Sequence, residues 1–158
     1  MAFYQLLVLN EGGGELFIPV EKVETVGIRR LLNRSEVLEL MDDLSQPTAT
    51  ADNYRARSLH ISKLFASGSA SDLVEIVASL TQLHRSKSLS FGEHKTLEKA
   101  KGLLVCEIAE VMGVTRDVAS GRVEAALEAR ASKSQADRVA RKRVSAGRDQ
   151  ADYRGASG

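Results

Sequence analysis

Apolar residues between Leu89 and Met112 fall on one side of a helix: Leu97, Leu104 and Val111 recur at heptad spacing, with Ala100, Leu103 and Ile108 beside them. Ser90 offers a hydroxyl to cap this helix, and Glu93, three residues on, can reach back to the cap amide. Gly113 follows Val111 and Met112, where a residue able to turn left-handed ends a helix without a Cβ penalty. The pattern predicts one long amphipathic helix with a marked start and stop.

Shorter helical patterns flank it. Asn33 and Glu36 form a second capping pair ahead of Val37, Leu38, Leu40, Met41 and Leu44. Asp52 is placed to cap a helix carrying Tyr54, Leu59, Ile61, Leu64 and Phe65 and ending near Ala66-Ser67-Gly68. Ser69 or Ser71 starts the next, whose predicted buried face is Leu73, Val74, Ile76, Val77, Leu80 and Leu83. After Gly113, Thr115 and Asp117 mark a last helix through Val118, Val123, Ala126 and Leu127. The connections are short, which predicts antiparallel neighbours in a small bundle.

The first twenty residues follow a different period. Phe3 to Leu9 and Glu15 to Val20 read as strands joined by the turn Asn10-Glu11-Gly12-Gly13-Gly14. The three glycines are turn chemistry, because no Gly-Lys-Ser/Thr follows as it would in a phosphate loop. Pro19 lacks a backbone donor, so its strand should lie at an edge or end there. Two strands alone are marginally stable in water. The expected class is mainly α with a small N-terminal β part: a hairpin plus a compact helical bundle. Ser45 to Asp52, with Pro47, reads as a linker, dividing the chain into residues 1–46, 47–130 and a tail, 131–158.

Composition supports the helical reading: 43% of residues are hydrophobic, 27% charged and only 4% aromatic. The N-terminal MAFYQLLVLN has neither a basic flank nor a small-residue cleavage site, so it reads as a strand and the expected location is the cytoplasm. The net charge of +1 hides an asymmetry, since from Arg130 onward eight Lys/Arg face three Asp, leaving the preceding residues at −4. This predicts either an electrostatic arm for a polyanion or a solvated, disordered extension.

No catalytic constellation emerges. His60, His84 and His94 share no ligand spacing, and the single cysteine, Cys106, sits on a helix without a neighbouring His, so neither metal nor cofactor is expected. No serine stands in a nucleophile elbow, and Asp42-Asp43 has no second carboxylate cluster with which to form an acid/base pair. The sequence IAEVMGVTRDVASGRV suggests a helix-turn-helix, but its spacing is short by a residue and Gly121 would weaken the recognition helix. A binding protein with no small-molecule substrate is the expectation.

The run L-S-x-x-E-x-K-x-L-x-x-A-K-x-L-L-V-x-E-I-A resembles the final long helix of the CarD/CdnL family of bacterial RNA polymerase-binding transcription regulators. Tyr4-Gln5-Leu6-Leu7, Ile18-Pro19-Val20 and Val26-Gly27-Ile28-Arg29 match, in order, the end of that family's polymerase-interacting domain. Ser62-Lys63-Leu64 and Ala66-Ser67-Gly68 resemble a turn in its helical DNA-binding domain. Together these matches cover roughly residues 3 to 130. The opening strands of the family's Tudor-like barrel, with their G-D-x-V-x-Y-P-x-x-G motif, have no counterpart, so the resemblance implies a truncated Tudor-like hairpin.

The resemblance also implies partners and site residues: the β subunit of RNA polymerase at Phe17, Ile18 and Pro19, and promoter DNA at the helical domain. Phe17 stands where some relatives have a basic residue, which favours packing over an ionic contact. The family's minor-groove Trp wedge aligns with Tyr54, which is flat enough to stack but presents less apolar area. Packing at a helix start is the other reading of Tyr54. Arg55, Arg57, Arg85, Lys95 and Lys99, with Lys87, are candidates for phosphate contacts, and His94 replaces a lysine frequent in relatives. The implied function is stabilisation of the open promoter complex by a nucleoid-associated protein. Two alternatives stay open on the sequence: a divergent interaction module without polymerase binding, and a DNA-binding protein driven by its tail.

Overall fold

The computed structural model describes residues 1–7, 12–47 and 53–154. Strands β1 (Phe3–Leu7) and β2 (Glu15–Pro19) pair antiparallel, with Tyr4 opposite Ile18 and Leu6 opposite Leu16. Val8 and Leu9 of the expected first strand, and Asn10 and Glu11 of its turn, lie outside the described residues. Pro19 ends β2, and a 3-10 turn, Val20–Lys22, follows. Strand alternation turns Ile18 inward and Phe17 outward, while Phe3, Leu7 and Leu16 are exposed. Ile18 does not belong to the helical core.

Five helices make the rest: α1 (Arg34–Ser45), α2 (Tyr54–Ser67), α3 (Ala70–Ser86), α4 (Phe91–Met112) and α5 (Arg116–Arg154). Both expected capping boxes form. The Asn33 side chain accepts from the Glu36 N–H while the Glu36 carboxylate accepts from the Asn33 N–H, and Ser90 and Glu93 do the same. α2 is capped by Asn53, whose side chain accepts from the Arg55 N–H; Asp52, the expected cap, lies outside the described residues. Gly113 closes α4 in the left-handed region at φ 65°, and the Val118 N–H donates to the Thr115 hydroxyl at the start of α5.

α3 packs against all four other helices and supplies the centre of the core, where Ile76, Val77 and Leu80 are fully buried. Leu97, Ala100, Leu104 and Ile108 of α4 and Ala119, Val123 and Leu127 of α5 close around it. α2 contributes less than its apolar positions predict: Ile61 is buried and Leu64 and Phe65 half-buried, but Leu59 is exposed.

Two expectations about organisation change. First, α1 joins the helical core through Val37, Leu40 and Leu44, so the loop around Pro47 does not divide the packing. α1 has no cation of its own in its last turn. α5 provides them: Arg130, 4% exposed, donates from Nη1 to the Leu44 carbonyl at 3.3 Å, and Lys133 donates to the Ser45 hydroxyl at 3.3 Å. Cations at that end complement the helix dipole and its unsatisfied carbonyls. Second, the expected disordered tail continues α5 as helix to Arg154.

The segment between hairpin and bundle is also anchored. Gly27 adopts φ 75°, a conformation that side-chain-bearing residues avoid, and so permits the turn in Val26-Gly27-Ile28-Arg29. The turn delivers Arg29 to α4, where Nη1 and Nη2 each donate to a Glu107 oxygen at 2.7 Å. Arg29 Nε donates to the Gly68 carbonyl at 2.9 Å, and the Leu32 N–H donates to Glu107 at 3.1 Å.

Candidate nucleic-acid interface

α2 and α4 begin side by side because one ion pair joins their first turns. Arg57 donates from Nε and Nη2 to Glu93 Oε1 at 3.0 and 2.8 Å. The other Glu93 oxygen accepts from the Ser90 N–H at 3.0 Å, so a single carboxylate caps α4 and holds α2. Burial alone pushes the Glu93 carboxyl up, but the Ser90 N–H, the Arg57 guanidinium and the Ser90 hydroxyl outweigh it, and its pKa lies below the usual value.

Each of these two helices begins with an exposed aromatic. Tyr54, the first residue of α2, is 56% exposed, and the Arg57 guanidinium carbon lies 5.6 Å from its ring centroid. Phe91, the first residue of α4, is 85% exposed. Tyr54 therefore stands outside the core, stacked on Arg57 at the start of α2 with half of its surface open to solvent. Phe91 is absent from the sequence-derived candidates. It stands in the first turn outside the heptad register of its helix, and that position was the available signal.

The predicted cations divide. Arg55 and Lys95 are exposed beside the starts of α2 and α4, whereas Lys99, also exposed, lies two turns along α4 with its Nζ 5.2 Å from the ring centroid of Phe65 in the last turn of α2. Arg57 differs from the others: it is only 9% exposed and bonded to Glu93, so it joins α2 to α4. Arg85 lies at the end of α3, paired at 2.7 Å with Glu128 of α5, and Lys87 caps that helix in solvent. His84 and His94 sit with ring centroids 6.2 Å apart, bridging the end of α3 and the start of α4.

The hairpin residues Phe17, Ile18 and Pro19 do not form one surface. Phe17 is exposed and Pro19 half-buried, whereas Ile18 is turned inward and only 9% exposed.

A family model described as CarD, C-terminal domain, matches residues 36–124, more than half of the chain. The chain belongs to the CarD family. The match begins in the first turn of α1 and ends within α5, so it spans the helical core and includes the helix that the Pro47 loop was expected to separate. Membership places this CarD-family chain among transcription-related, regulatory binding proteins, a family associated with RNA polymerase. The aromatic pair at Tyr54 and Phe91 lies within the matched region, and the hairpin precedes it. Among the described residues no helix is long and apolar enough to cross a membrane, and no three His, Cys, Asp or Glu side chains gather to hold a metal ion.

Proposed function

We propose that this protein is a CarD-like transcription regulator that contacts the RNA polymerase β subunit through its N-terminal hairpin and promoter DNA through the starts of α2 and α4. The observation that carries the DNA reading is that the two helix starts joined by the Arg57–Glu93 pair each expose an aromatic side chain, Tyr54 and Phe91, with the exposed cations Arg55 next to Tyr54 and Lys95 one turn beyond Phe91. Apolar and aromatic wedges enter a minor groove where base steps unstack, and surrounding cations hold the backbone. The action is binding: a surface that fits opened, unstacked DNA better than closed duplex shifts the promoter equilibrium by the difference in affinity.

The hairpin supports the polymerase half of the reading. Phe3, Leu7, Leu16 and Phe17 present apolar area in solvent, and a two-stranded sheet offers backbone groups for strand addition by a partner. Phe17 and Pro19 are the proposed contacts, with Ile18 supporting them from within.

The test is a promoter-melting assay with purified RNA polymerase, comparing the wild type with Phe17→Ala and with Tyr54→Ala/Phe91→Ala. The expected result is a longer-lived open complex with the wild type, loss of polymerase capture for Phe17→Ala, and retained capture without stabilisation for the aromatic variant. Absence of any polymerase capture by the wild type would sink this reading in favour of an interaction module of another kind.

A further inference from the structure

A groove of about 450 Å³ runs between the end of α3 and α5, and its walls include Arg57, Arg85, Lys87, Arg130 and Arg138 but no acidic side chain. Of these, Arg57 is engaged by Glu93 and Arg130 by the Leu44 carbonyl, both nearly buried. Both are fixed at its floor, Arg57 with its charge balanced by Glu93 and Arg130 bonded to a neutral carbonyl. Lys87 and Arg138 are exposed at its edge, and Arg85 is held by Glu128, itself 70% exposed. An ion pair so open to water contributes little, and Arg85 can exchange its carboxylate for a phosphate at small cost.

The α5 residues that line the groove are Leu127, Arg130, Ala131, Ser134, Gln135 and Arg138, which is one helical stripe at steps of three and four. Continued along the same helix, the stripe reaches Arg141, Lys142 and Ser145, all exposed. From Arg130 to Lys142 it extends about 18 Å at the helical rise. Over residues 131–146 the helix carries five Lys/Arg against the single carboxylate of Asp137.

We propose that this groove and the α5 stripe leaving it form a track for the phosphodiester backbone of DNA, distinct from the Tyr54 and Phe91 aromatics. The proposal rests on the reading that the helical domain lies on DNA. Two features favour a linear polyanion over a compact phosphorylated ligand. The cations do not converge on one point but continue past the groove along a straight helix. Arg57 also touches the Tyr54 ring and lines the groove, so the start of α2 and the groove adjoin at this residue. Contacts of this kind fix position and add salt dependence without reading sequence.

The experiment measures fluorescence anisotropy of the full chain on a labelled duplex with a forked, unpaired end, across a salt series. Variants are Arg138→Gln/Arg141→Gln/Lys142→Gln, Tyr54→Ala/Phe91→Ala, and Arg34→Gln as a control at the opposite end of α1 from Leu44. With circular dichroism confirming unchanged helix content, the triple variant should lower the log–log salt slope by about 2 to 3, near 0.9 per lost phosphate contact. The aromatic variant should weaken binding with the slope retained, and Arg34→Gln should match the wild type. An unchanged slope in the triple variant, or an equal fall in Arg34→Gln, would overturn this proposal while leaving the aromatic interface standing. ATP bound by the wild type and not by the triple variant, with DNA slopes identical, would replace the track by a compact phosphate site. A wild type that binds no DNA even at low salt would remove both this proposal and the DNA part of the function above.

Discussion

Arg29 and Glu107 meet in a bidentate ion pair, each guanidinium nitrogen 2.7 Å from its carboxylate oxygen. One belongs to the Val-Gly-Ile-Arg segment after the hairpin and the other to the Leu-Leu-Val-Cys-Glu-Ile-Ala run of α4, so two separate sequence signals prove to be halves of one clamp. The clamp ties the segment that follows the hairpin to α4.

Breaking the clamp should therefore cost stability. Glu107 is 9% exposed and Arg29 34%, so Arg29→Ala leaves a mostly buried carboxylate whose remaining donor is the Leu32 N–H. A fully buried pair broken this way costs about 3–5 kcal/mol, and the partial exposure of Arg29 lowers the expectation to about 2–3 kcal/mol. Urea unfolding should show a lower midpoint, and limited proteolysis should release the first thirty or so residues sooner. An unchanged midpoint would mean that the clamp is not a stabilising contact.

Acid should weaken the fold in a definite window. The Arg29 guanidinium, against the opposing effect of burial, holds the Glu107 carboxyl below its ordinary value; Arg30 and the Asn33 N–H lower Glu36 to about 2. Glu93 is lowered as well. A folded-state pKa below the unfolded value near 4.5 means that the stabilisation is fully present above that pH and is lost as pH falls through the folded value. Melting temperature should be nearly flat from pH 7 to 5 with respect to these groups and should decline from about 4.5 towards 2. Glu107→Gln should start lower at neutral pH and decline less steeply; a parallel curve would remove Glu107 from the acid transition.

The start of α4 offers a graded series. Ser90→Ala removes the hydroxyl that accepts from the Glu93 N–H and should cost about 1 kcal/mol, as helix caps do. Glu93→Ala removes the reciprocal cap and the partner of the buried Arg57 guanidinium, so it should cost several times more, about 3 kcal/mol. Equal losses in chemical denaturation would show that Glu93 acts only as a cap.

Much of this architecture was legible because caps and periodicity act locally. Asn33/Glu36, Ser90/Glu93 and Gly113 are short-range signals, and the α3 stripe from Leu73 to Leu80 is buried as its spacing predicts. What escaped depends on tertiary placement. An amphipathic stripe does not say which core it faces, and so α1 was assigned to the wrong side of the Pro47 loop. Arg57 reads as a surface cation until Glu93, thirty-six residues away, is seen beside it. The helical continuation of the tail was not read because charge imbalance draws attention first, whereas Ala, Arg, Lys and Gln are strong helix formers and no proline interrupts them. Phe91 was passed over because an apolar residue outside the stripe looks incidental in a sequence, yet it opens the same helix turn whose Glu93 holds Arg57.

That placement separates function from folding at two residues. Tyr54 and Phe91 contribute little to the core, so Phe91→Ala should change stability by no more than about 0.5 kcal/mol and Tyr54→Ala by slightly more, because Tyr54 also covers Arg57. If each stacks on an unpaired base, each alanine variant should lose about 1–3 kcal/mol of affinity for forked DNA, a fall of roughly fivefold to more than a hundredfold. On fully paired duplex the loss should be smaller, because fewer base faces are available. Tyr54→Trp should restore or exceed wild-type affinity by widening the apolar face at the same position. Variants as stable as the wild type and equally tight on forked DNA would place the nucleic-acid contact elsewhere on the helical domain.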